Sequence, residues 1–393
     1  DFEYERAKKL LDELKLKVNP RTVVGNLGIG QQQLVEIAKA LNKNCKILIL
    51  DEPTAPLPED DSENLLNPMR GLRDKGISII FISHKLGEVL SIADTVTILR
   101  DGQTVETRPA EEYSQDTLIS GMVGRELKTL FEPRCCTIGE VALRVSDWSV
   151  FDGINNKWIV RDINLEVREG EVVGLAGMIG AGRTELGMSI FGALQGSITG
   201  KMEYKGRQRA RFKNSNEAIK AGVFYSSEDR KRYGLVLTSD IAYNASLSSL
   251  DKYINGGFFI NRDKEYGKVK EMVKKLRVKT PSILQRVGNL SGGNQQKVCL
   301  AKALMTEPKV LILDEATRGI DIGAKTEIYQ LINQMADQGI AVIMISSELP
   351  EILGMSDRIY VMREGRISAE FDNSARKITQ EDVALAATGG VTT

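Results

Sequence analysis

The sequence predicts an α/β fold with a parallel sheet, and it predicts that much of this fold occurs twice in the chain. Short β-branched strands alternate with amphipathic helices, the pattern of crossover connections in a parallel sheet. The stretch NLSGGNQQKVCLAKAL, from Asn289, repeats NLGIGQQQLVEIAKAL, from Asn26, and 25 positions after each asparagine an apolar run ends in Asp–Glu. A glycine-rich turn, GMIGAGRT, joins an apolar strand to a helix in the second half.

Composition restricts the classes of protein to which the chain can belong. Its 393 residues are enough for about two to three domains, each large enough to bury a core. Lys+Arg and Asp+Glu are both 53, and this balance argues against a nucleic-acid partner. Four cysteines show neither zinc-ligand nor disulfide spacing, so we expect reduced, buried thiols at Cys45 and Cys299. No apolar run reaches the ~20 residues that cross a bilayer, and we expect a cytoplasmic protein or one held at a membrane by partners.

The repeat has a constant offset of 263 positions between its two copies. In each copy a helix follows a glycine-containing turn, a strand ends in Asp–Glu, and a polar helix and an apolar strand come next. The paired carboxylates are Asp51–Glu52 and Asp314–Glu315. A period this long indicates duplicated domains rather than a solenoid.

The second copy contains a phosphate-loop pattern with arginine in place of the usual lysine. Its residues are Gly177, Gly180, Ala181, Gly182, Arg183 and Thr184. Backbone amides of such a loop approach phosphate oxygens at a helix N-terminus, and Thr184 would ligate Mg²⁺. Arg183 keeps the positive charge but not the compact ammonium geometry. A dinucleotide-type turn or a plain tight connection stays an alternative.

In the first copy the corresponding loop would fall before residue 1. We therefore expect a first domain that lacks its phosphate loop within this chain, as in an N-terminally truncated sequence.

The two Asp–Glu pairs end their strands at the edge of the sheet where open α/β folds bind ligands. Asp51 and Asp314 are placed to hold Mg²⁺, and Glu52 and Glu315 to orient or deprotonate an attacking water. A lone acidic residue after a strand is usually a solvated turn, but the same dipeptide at the same register in both copies argues against that. The single histidine, His84, follows an apolar strand, and a histidine there is more often a satisfied polar residue than a catalyst.

The stretch LSGGN is expected to open a helix, with Ser291 as the N-cap. Apolar residues spaced at helical intervals should form its buried stripe: Val298, Ala301, Leu304 and Met305. A well-capped helix without a ligand is the simpler interpretation, but the fixed spacing to LILDE favours a nucleotide-binding role.

In combination, LSGGNQQK…LILDEATRGID, GMIGAGRTEL and ISHKL resemble the tandem ATP-binding subunits of ABC-type monosaccharide importers, the ribose, galactose, arabinose and xylose group. The resemblance covers essentially the whole chain, and MVGREL and RVKT favour the xylose type. It implies a P-loop NTPase fold of the ABC type with two tandem nucleotide-binding domains, the first incomplete. Residues 1–130 would belong to the first domain, 131–140 to a linker and 141–390 to the second domain.

The resemblance further implies that ATP and Mg²⁺ bind between the phosphate loop of one half and the LSGG turn of the other. A hydrolytic site would use Asp51, Glu52 and His84. Its signature residues would come from the second half: Ser291, Gly292, Gly293 and Asn294.

The other implied site would combine the loop at 177–184, Asp314 and Glu315 with the first-half turn LGIGQ, which lacks the signature serine. Ser347 stands there at the position equivalent to His84. Loss of one preorganised charge-stabilising donor costs ~2.7–4 kcal/mol of barrier. We therefore expect this second site to bind ATP but to hydrolyse it poorly.

As partners the resemblance implies transmembrane sugar permease subunits and, indirectly, an extracytoplasmic sugar-binding protein, with the chain peripheral on the cytoplasmic face of the membrane. The alternative to an importer ATPase is a nucleotide-binding regulator that does not hydrolyse ATP. The feature that discriminates these two functions is a phosphate loop in the first domain, which this chain does not contain. Soluble ABC proteins of translation or DNA repair carry long coiled-coil or basic insertions, which are not visible here. A dinucleotide-dependent oxidoreductase would need an acidic strand end ~20 residues after the glycine loop, which the sequence lacks.

Three further expectations concern single segments. Trp148 and Phe151 are candidates either for stacking on adenine or for packing at a sheet edge. Pro68 should kink or end its helix early, because an internal proline costs ~3 kcal/mol. The charge run SEDRKRYG is expected to form a solvated loop or to contact the permease.

Overall fold

The computed structural model describes residues 2–43, 45–54, 59–83, 85–100, 102–123, 131, 134, 137–153, 155–194, 196–209, 211–255 and 259–389. His84 and parts of the predicted linker lie outside these residues. The chain divides into two compact units, Asp1–Thr129 with Asp321–Gly323 and Leu130–Ile320 with Ala324–Thr393. None of the described helices is both long and apolar enough to cross a membrane.

The first unit contains two separate pairs of strands within its described residues. Its elements are α1 (Phe2–Glu13), α2 (Ile29–Leu41), β1 (Ile47–Asp51), α3 (Glu59–Asp74), β2 (Ser78–Ile82), α4 (Leu86–Ile92), β3 (Thr95–Arg100), β4 (Gln103–Pro109) and α5 (Gln115–Val123). β1 pairs with β2 in parallel, and β3 pairs with β4 in antiparallel orientation. Helices α1, α2 and α3 share a core with β1, in which Leu14, Leu65, Leu66 and Met69 are at most 1% exposed.

The second unit begins with the strands and helices that surround the glycine-rich loop. They are β5 (Val141–Asp152), β6 (Lys157–Arg168), β7 (Val172–Gly177), α6 (Arg183–Phe191), β8 (Ser197–Tyr204), β9 (Arg207–Arg209), α7 (Ser215–Ala221) and β10 (Val223–Ser226). A group of helices with a short hairpin follows: α8 (Ile241–Ser246), β11 (Ile254–Asn255), β12 (Phe259–Ile260), α9 (Arg262–Lys275) and α10 (Gly292–Met305). The unit ends with β13 (Val310–Asp314), α11 (Ile322–Asp337), β14 (Ala341–Ile345), α12 (Leu349–Met355), β15 (Arg358–Arg363), β16 (Arg366–Asp372) and α13 (Gln380–Thr388).

A six-stranded sheet in the order β10-β13-β14-β7-β15-β16 forms the centre of the second unit. Its first five strands are parallel, and β16 is antiparallel to β15. Alternate residues of β13 point to opposite faces: Val310 and Ile312 pack with β5, β6 and α6, whereas Leu311 and Leu313 pack with α10 and α11. The parallel sheet is thus covered on both faces, as parallel sheets require.

The secondary structure repeats with the offset found in the sequence. Helix α3, strands β1 and β2, helix α4 and strands β3 and β4 begin and end 263 positions before α11, β13, β14, α12, β15 and β16. The proposal that Pro68 ends its helix early is wrong, because α3 runs for 16 residues, the same length as α11. The fully buried Leu65, Leu66 and Met69 on either side of the proline anchor the helix to the core, and this burial offsets the lost backbone hydrogen bond.

Candidate functional site

The glycine-rich loop connects β7 to α6 in a backbone conformation that requires glycine at both ends. Gly177 has φ 148°, and a Cβ there would lie 2.4 Å from the carbonyl oxygen of Met362. Gly182, at φ 96°, is the N-cap of α6, and a Cβ there would lie 3.0 Å from the carbonyl oxygen of Ile159. Gly180 is exposed at φ 82°, whereas Ala181 is buried. The three glycines therefore leave the backbone of the loop uncovered beside the start of a helix, the geometry that suits an anion.

Arg183, the first residue of α6, turns inward from this loop and is 8% exposed. Its Nη1 donates a hydrogen bond of 2.6 Å to the carbonyl oxygen of Ser346, just past the end of β14. Burial lowers the pKa of Arg183, and the negative charges of Glu315 and Asp314 act in the opposite direction. The guanidinium is thus held beside the two carboxylates by a backbone acceptor.

Asp314 ends β13 and is completely buried. The phenol of Tyr225, on the neighbouring strand β10, donates a hydrogen bond of 2.6 Å to its Oδ2. Its Oδ1 has no hydrogen-bond partner among the described residues. Burial raises the pKa of Asp314, and the hydroxyls of Tyr225 and Thr184 act against that shift. Oδ2 is therefore fixed by a hydrogen bond, whereas Oδ1 remains available to coordinate a metal ion.

Glu315 follows Asp314 in a left-handed conformation with φ 48°, and Glu52 in the first unit has φ 46°. Each backbone N–H donates to the end of the adjacent strand, at Ile345 and at Ile82. A positive φ is unusual for a glutamate. Its recurrence in both copies indicates that the same turn aims both side chains.

Ser347 contacts Glu315, although it stands where the first copy has histidine. Its Oγ donates a hydrogen bond of 3.2 Å to Oε2 of Glu315. Burial raises the pKa of Glu315 to about 7, while the charge of Arg183 and the bond from Ser347 lower it. In the first unit Asp51 and Glu52 are exposed, and the contacts of His84 lie outside the described residues.

The signature turn, Ser291–Asn294, opens α10 as the sequence predicts, but its capping differs. Ser291 occupies the N-cap position, yet its side chain makes no capping hydrogen bond. Instead, Asn294 donates from Nδ2 to the Ser291 hydroxyl over 2.9 Å and accepts from the N–H of Lys279 over 2.8 Å. The hydroxyl is thus oriented by a side chain rather than used by the helix. The predicted stripe is buried: Val298, Ala301, Leu304 and Met305.

The two signature glycines lie in close packing. A Cβ on Gly292 would lie 3.2 Å from the carbonyl oxygen of Gly319, and a Cβ on Gly293 would lie 2.6 Å from Cβ of Ala324. Small residues are therefore required where α10 approaches the segment that follows Asp314.

The aromatic residues near the loop differ from the sequence expectation. Trp148 is 1% exposed, and its Nε1 donates to the hydroxyl of Ser189 over 2.9 Å, so it packs in the core and cannot stack on a ligand. Phe151 packs edge-on against Trp158 with ring centroids 5.1 Å apart. Trp158 is 42% exposed and immediately precedes Ile159, whose carbonyl abuts the glycine loop.

Sequence reasoning missed both Trp158 and Tyr225. Trp158 gives no signal beyond an exposed aromatic in a strand, because its place beside the loop depends on how β6 packs. Tyr225 could have been found from its position, because it is a polar aromatic residue one position before the end of strand β10, which leads to the charge run.

Known proteins resemble this chain along most of its length. The family model described as ABC transporter matches residues 3–55 and 160–318. The xylose import ATP-binding protein XylG of Moorella thermoacetica is 53% identical over 99% of this chain and 77% of that protein. The L-arabinose transport ATP-binding protein AraG of Geobacillus stearothermophilus is 52% identical over 96% of this chain and 73% of that protein.

Solved structures share the fold at lower identity. A nucleotide-free ATP-binding cassette from an ABC transporter aligns with a TM-score of 0.52 and 20% identity, over 63% of this chain and 95% of that one. The ADP conformation of another ATP-binding cassette, MJ1267, aligns with a TM-score of 0.52 and 21% identity, over 63% of this chain and 95% of that one.

Proposed function

The chain belongs to the ABC transporter family of ATP-binding proteins, and on that premise we propose that it binds and hydrolyses ATP to power the import of a monosaccharide through a membrane permease. One observation carries this proposal. Arg183, at the end of the glycine-rich loop, is held by the carbonyl oxygen of Ser346, where the charges of Asp314 and Glu315 act on its guanidinium. The names of the relatives make pentoses, xylose and L-arabinose, the first sugars to test.

The site residues suit ATP with Mg²⁺. Hard cations of this size bind carboxylate, hydroxyl and phosphate oxygens, and Asp314 Oδ1 is a buried oxygen without a partner among the described residues. Asp314 and the Thr184 hydroxyl beside it are the groups that would hold the ion in the second unit, and Asp51 is the counterpart in the first. Bound Mg²⁺ would neutralise charge on the transferred phosphate oxygens. The loop amides would bind the phosphates, and Glu52 or Glu315 would orient the water.

We further infer that the two units are tandem nucleotide-binding domains, with the first incomplete within residues 1–130. Strand β7 lies between β14 and β15. Between their counterparts β2 and β3 the first unit has a groove of about 790 Å³. A parallel strand with its phosphate loop, of the kind formed by 172–184, fits this position.

Exposed apolar residues support the same inference. Five positions of the first unit are 48–65% exposed: Ile47, Ile49, Ile80, Ile82 and Leu99. The residues 263 positions later are at most 2% exposed: Val310, Ile312, Ile343, Ile345 and Met362. In the second unit β5, β6 and α6 cover that face, and an equivalent layer would cover the first. The native polypeptide should then have an intact mass above the 43.4 kDa of this chain.

The two sites would differ in turnover. At the Arg183 site the switch position is Ser347, which contacts Glu315 through a neutral hydroxyl, and the loop cation is bonded to a protein carbonyl. Both features weaken stabilisation of the charge that develops on phosphate. We propose that this site binds ATP and hydrolyses it slowly. Asp51, Glu52 and His84 would serve the faster site. The signature residues would contact the phosphates of ATP during hydrolysis: Ser291, Gly292, Gly293 and Asn294.

Membrane permease subunits follow as partners from the family, and a separate sugar-binding protein on the opposite side of the membrane would deliver the sugar. The chain would then be peripheral on the cytoplasmic face.

The test uses the native polypeptide assembled with its permease in proteoliposomes, with ATP hydrolysis and uptake of radiolabelled xylose or L-arabinose measured together. ATP-dependent uptake that stops when ATP is replaced by a non-hydrolysable analogue supports the function. Tight nucleotide binding without any hydrolysis or uptake would instead identify a regulatory nucleotide-binding module.

A further inference from the structure

The charge run after β10 folds into a single tight turn, Arg230–Gly234. The carboxylate of Asp229 caps it by accepting from the N–H groups of Lys231, over 3.1 Å, and Arg232, over 3.0 Å. Asp229, Lys231, Arg232 and the neighbouring tyrosine are exposed on the outer edge of the turn. The expectation of a solvated loop therefore holds for the outer edge alone.

Arg230 points inward from this turn. Its Nη1 donates a hydrogen bond of 2.8 Å to the carbonyl oxygen of Arg318, and its Nη2 lies 3.4 Å from that of Gly319. Both acceptors belong to the segment that follows Asp314 and Glu315. Glu228 pairs with the Arg318 side chain, so the charge run is joined to this segment at two points.

The same guanidinium lies against the start of the signature helix. A Cβ on Gly292 would lie 3.0 Å from Nη2 of Arg230, so a side chain there would require the guanidinium to shift. At the other end of α10, Lys302 donates to the carbonyl oxygen of Gly234 over 3.0 Å. The turn thus packs against the start of α10 and is hydrogen-bonded near its end.

The first copy has a different residue at the position of Gly292. Ile29 stands there and is 53% exposed. In the second unit any such side chain would displace Arg230. The close contact between the Arg230 guanidinium and Gly292 therefore occurs in the copy that has the signature serine, Ser291.

We propose that Arg230 is a positioning residue that holds the signature turn, Ser291–Asn294, in its active placement. The guanidinium fixes the first residue of α10 against the carbonyls of Arg318 and Gly319. A displacement of the exposed turn at 229–233 is thereby passed to the Ser291 hydroxyl. The proposal rests on the proposed function, in which this hydroxyl contacts ATP during hydrolysis.

The experiment compares Arg230→Ala and Arg230→Lys with Arg232→Ala in the native polypeptide assembled with its permease. Arg232→Ala is the matched control, because it removes the same charge from the same turn, and the Arg232 guanidinium lies 5.2 Å from the ring centroid of exposed Tyr233. Four quantities are measured for each variant: kcat for ATP hydrolysis, KM for ATP, affinity for a fluorescent ATP analogue, and hydrogen exchange of the amides at 292–296.

We expect Arg230→Ala to lower kcat by about 10- to 100-fold, the usual consequence of misplacing a reacting geometry by about an ångström. KM and analogue affinity should stay within about twofold, because Arg230 belongs to neither phosphate-binding loop. Exchange at 292–296 should accelerate, Arg230→Lys should be intermediate, and Arg232→Ala should match the wild type.

Unchanged kcat and exchange in Arg230→Ala would overturn the proposal, as would an equal loss in Arg232→Ala. If Arg230→Ala does not fold, Arg230→Lys decides, because it keeps the charge and loses the paired contact; a wild-type kcat would then reject the role. If the wild-type assembly shows no hydrolysis, the proposed function fails, and the exchange at 292–296 still tells whether Arg230 orders the turn.

Discussion

The hydroxyl of Tyr225 lies 2.6 Å from Oδ2 of Asp314 and donates a hydrogen bond to it. The two residues lie on adjacent parallel strands, β10 and β13, and both side chains are held near the carboxyl end of the sheet. Because Asp314 is completely buried, this phenol is one of the few groups that stabilise its charge. The bond also determines which carboxylate oxygen is left for a ligand.

Replacing Tyr225 by phenylalanine should therefore destabilise the protein and weaken Mg²⁺-dependent nucleotide binding. A hydrogen bond to a charged group contributes about 1.5–3 kcal/mol, and we expect the free energy of unfolding in urea to fall by about that amount. The Mg²⁺ concentration that gives half-maximal nucleotide binding should rise. Tyr243→Phe, at an exposed tyrosine with no hydrogen bond to Asp314, is the control. An unchanged Mg²⁺ requirement would show that Tyr225 is only a packing residue.

Glu52 and Glu315 share a backbone conformation, and their chemistry should nevertheless differ. In the native polypeptide with its permease, Glu52→Gln should abolish ATP hydrolysis, whereas Glu315→Gln should have a small effect. The reason is that Glu315 accepts a hydrogen bond from Ser347, whereas the first copy has histidine at the position equivalent to Ser347, and histidine is a stronger donor when protonated. Steady-state hydrolysis by both variants, at saturating ATP, is the measurement. Equal losses would contradict the asymmetry of the two sites.

The repeat and the order of its elements could be predicted because they depend on local pattern. Strands that end in Asp–Glu and helices with regular apolar spacing appear at the residues that the sequence indicates. The bounds of β1 and β13 differ by the same 263 positions as their sequences. The early end expected at Pro68 was wrong because propensity considers one backbone bond, whereas the burial of Leu65, Leu66 and Met69 stabilises the helix on both sides of the proline.

The candidate site could be predicted in part, and the division has a physical cause. The glycine loop and the carboxylates follow from backbone geometry, which sequence patterns report. Trp158, Tyr225 and the inward contacts of Arg230 were missed, because their roles depend on which face of a strand or turn meets a distant segment. No local pattern carries that information.

Cys299 should be chemically inert in the folded protein. It is 5% exposed, and burial raises the pKa of its thiol to about 12. Because the thiolate is the reactive form, iodoacetamide at about pH 8 should leave Cys299 unmodified until the protein is unfolded. Peptide mapping by mass spectrometry reports the modification, with the half-buried Cys45 as the internal comparison. Labelling of Cys299 at the rate of Cys45 would mean that α10 opens frequently.

Trp158 should contact the adenine of ATP bound at the glycine-rich loop. It is 42% exposed, and its ring packs against that of Phe151 with centroids 5.1 Å apart. The next residue, Ile159, has its carbonyl oxygen close to Gly182 of the loop. Stacking of a base on an aromatic ring is worth about 1–3 kcal/mol, so Trp158→Ala should weaken nucleotide affinity by about 5- to 150-fold.

Trp158→Phe should keep most of the affinity, because a smaller aromatic face can still stack. The chain has two tryptophans, and Trp148 is buried against Ser189, so a change in intrinsic fluorescence on adding ATP should come from Trp158. Titration of the wild type and of Trp158→Phe separates the two. If the fluorescence change survives in Trp158→Phe, then Trp148 senses the nucleotide and the loop must reorganise the core of β5 on binding. If affinity is unchanged in Trp158→Ala, the adenine lies elsewhere and the phosphate loop alone carries the affinity.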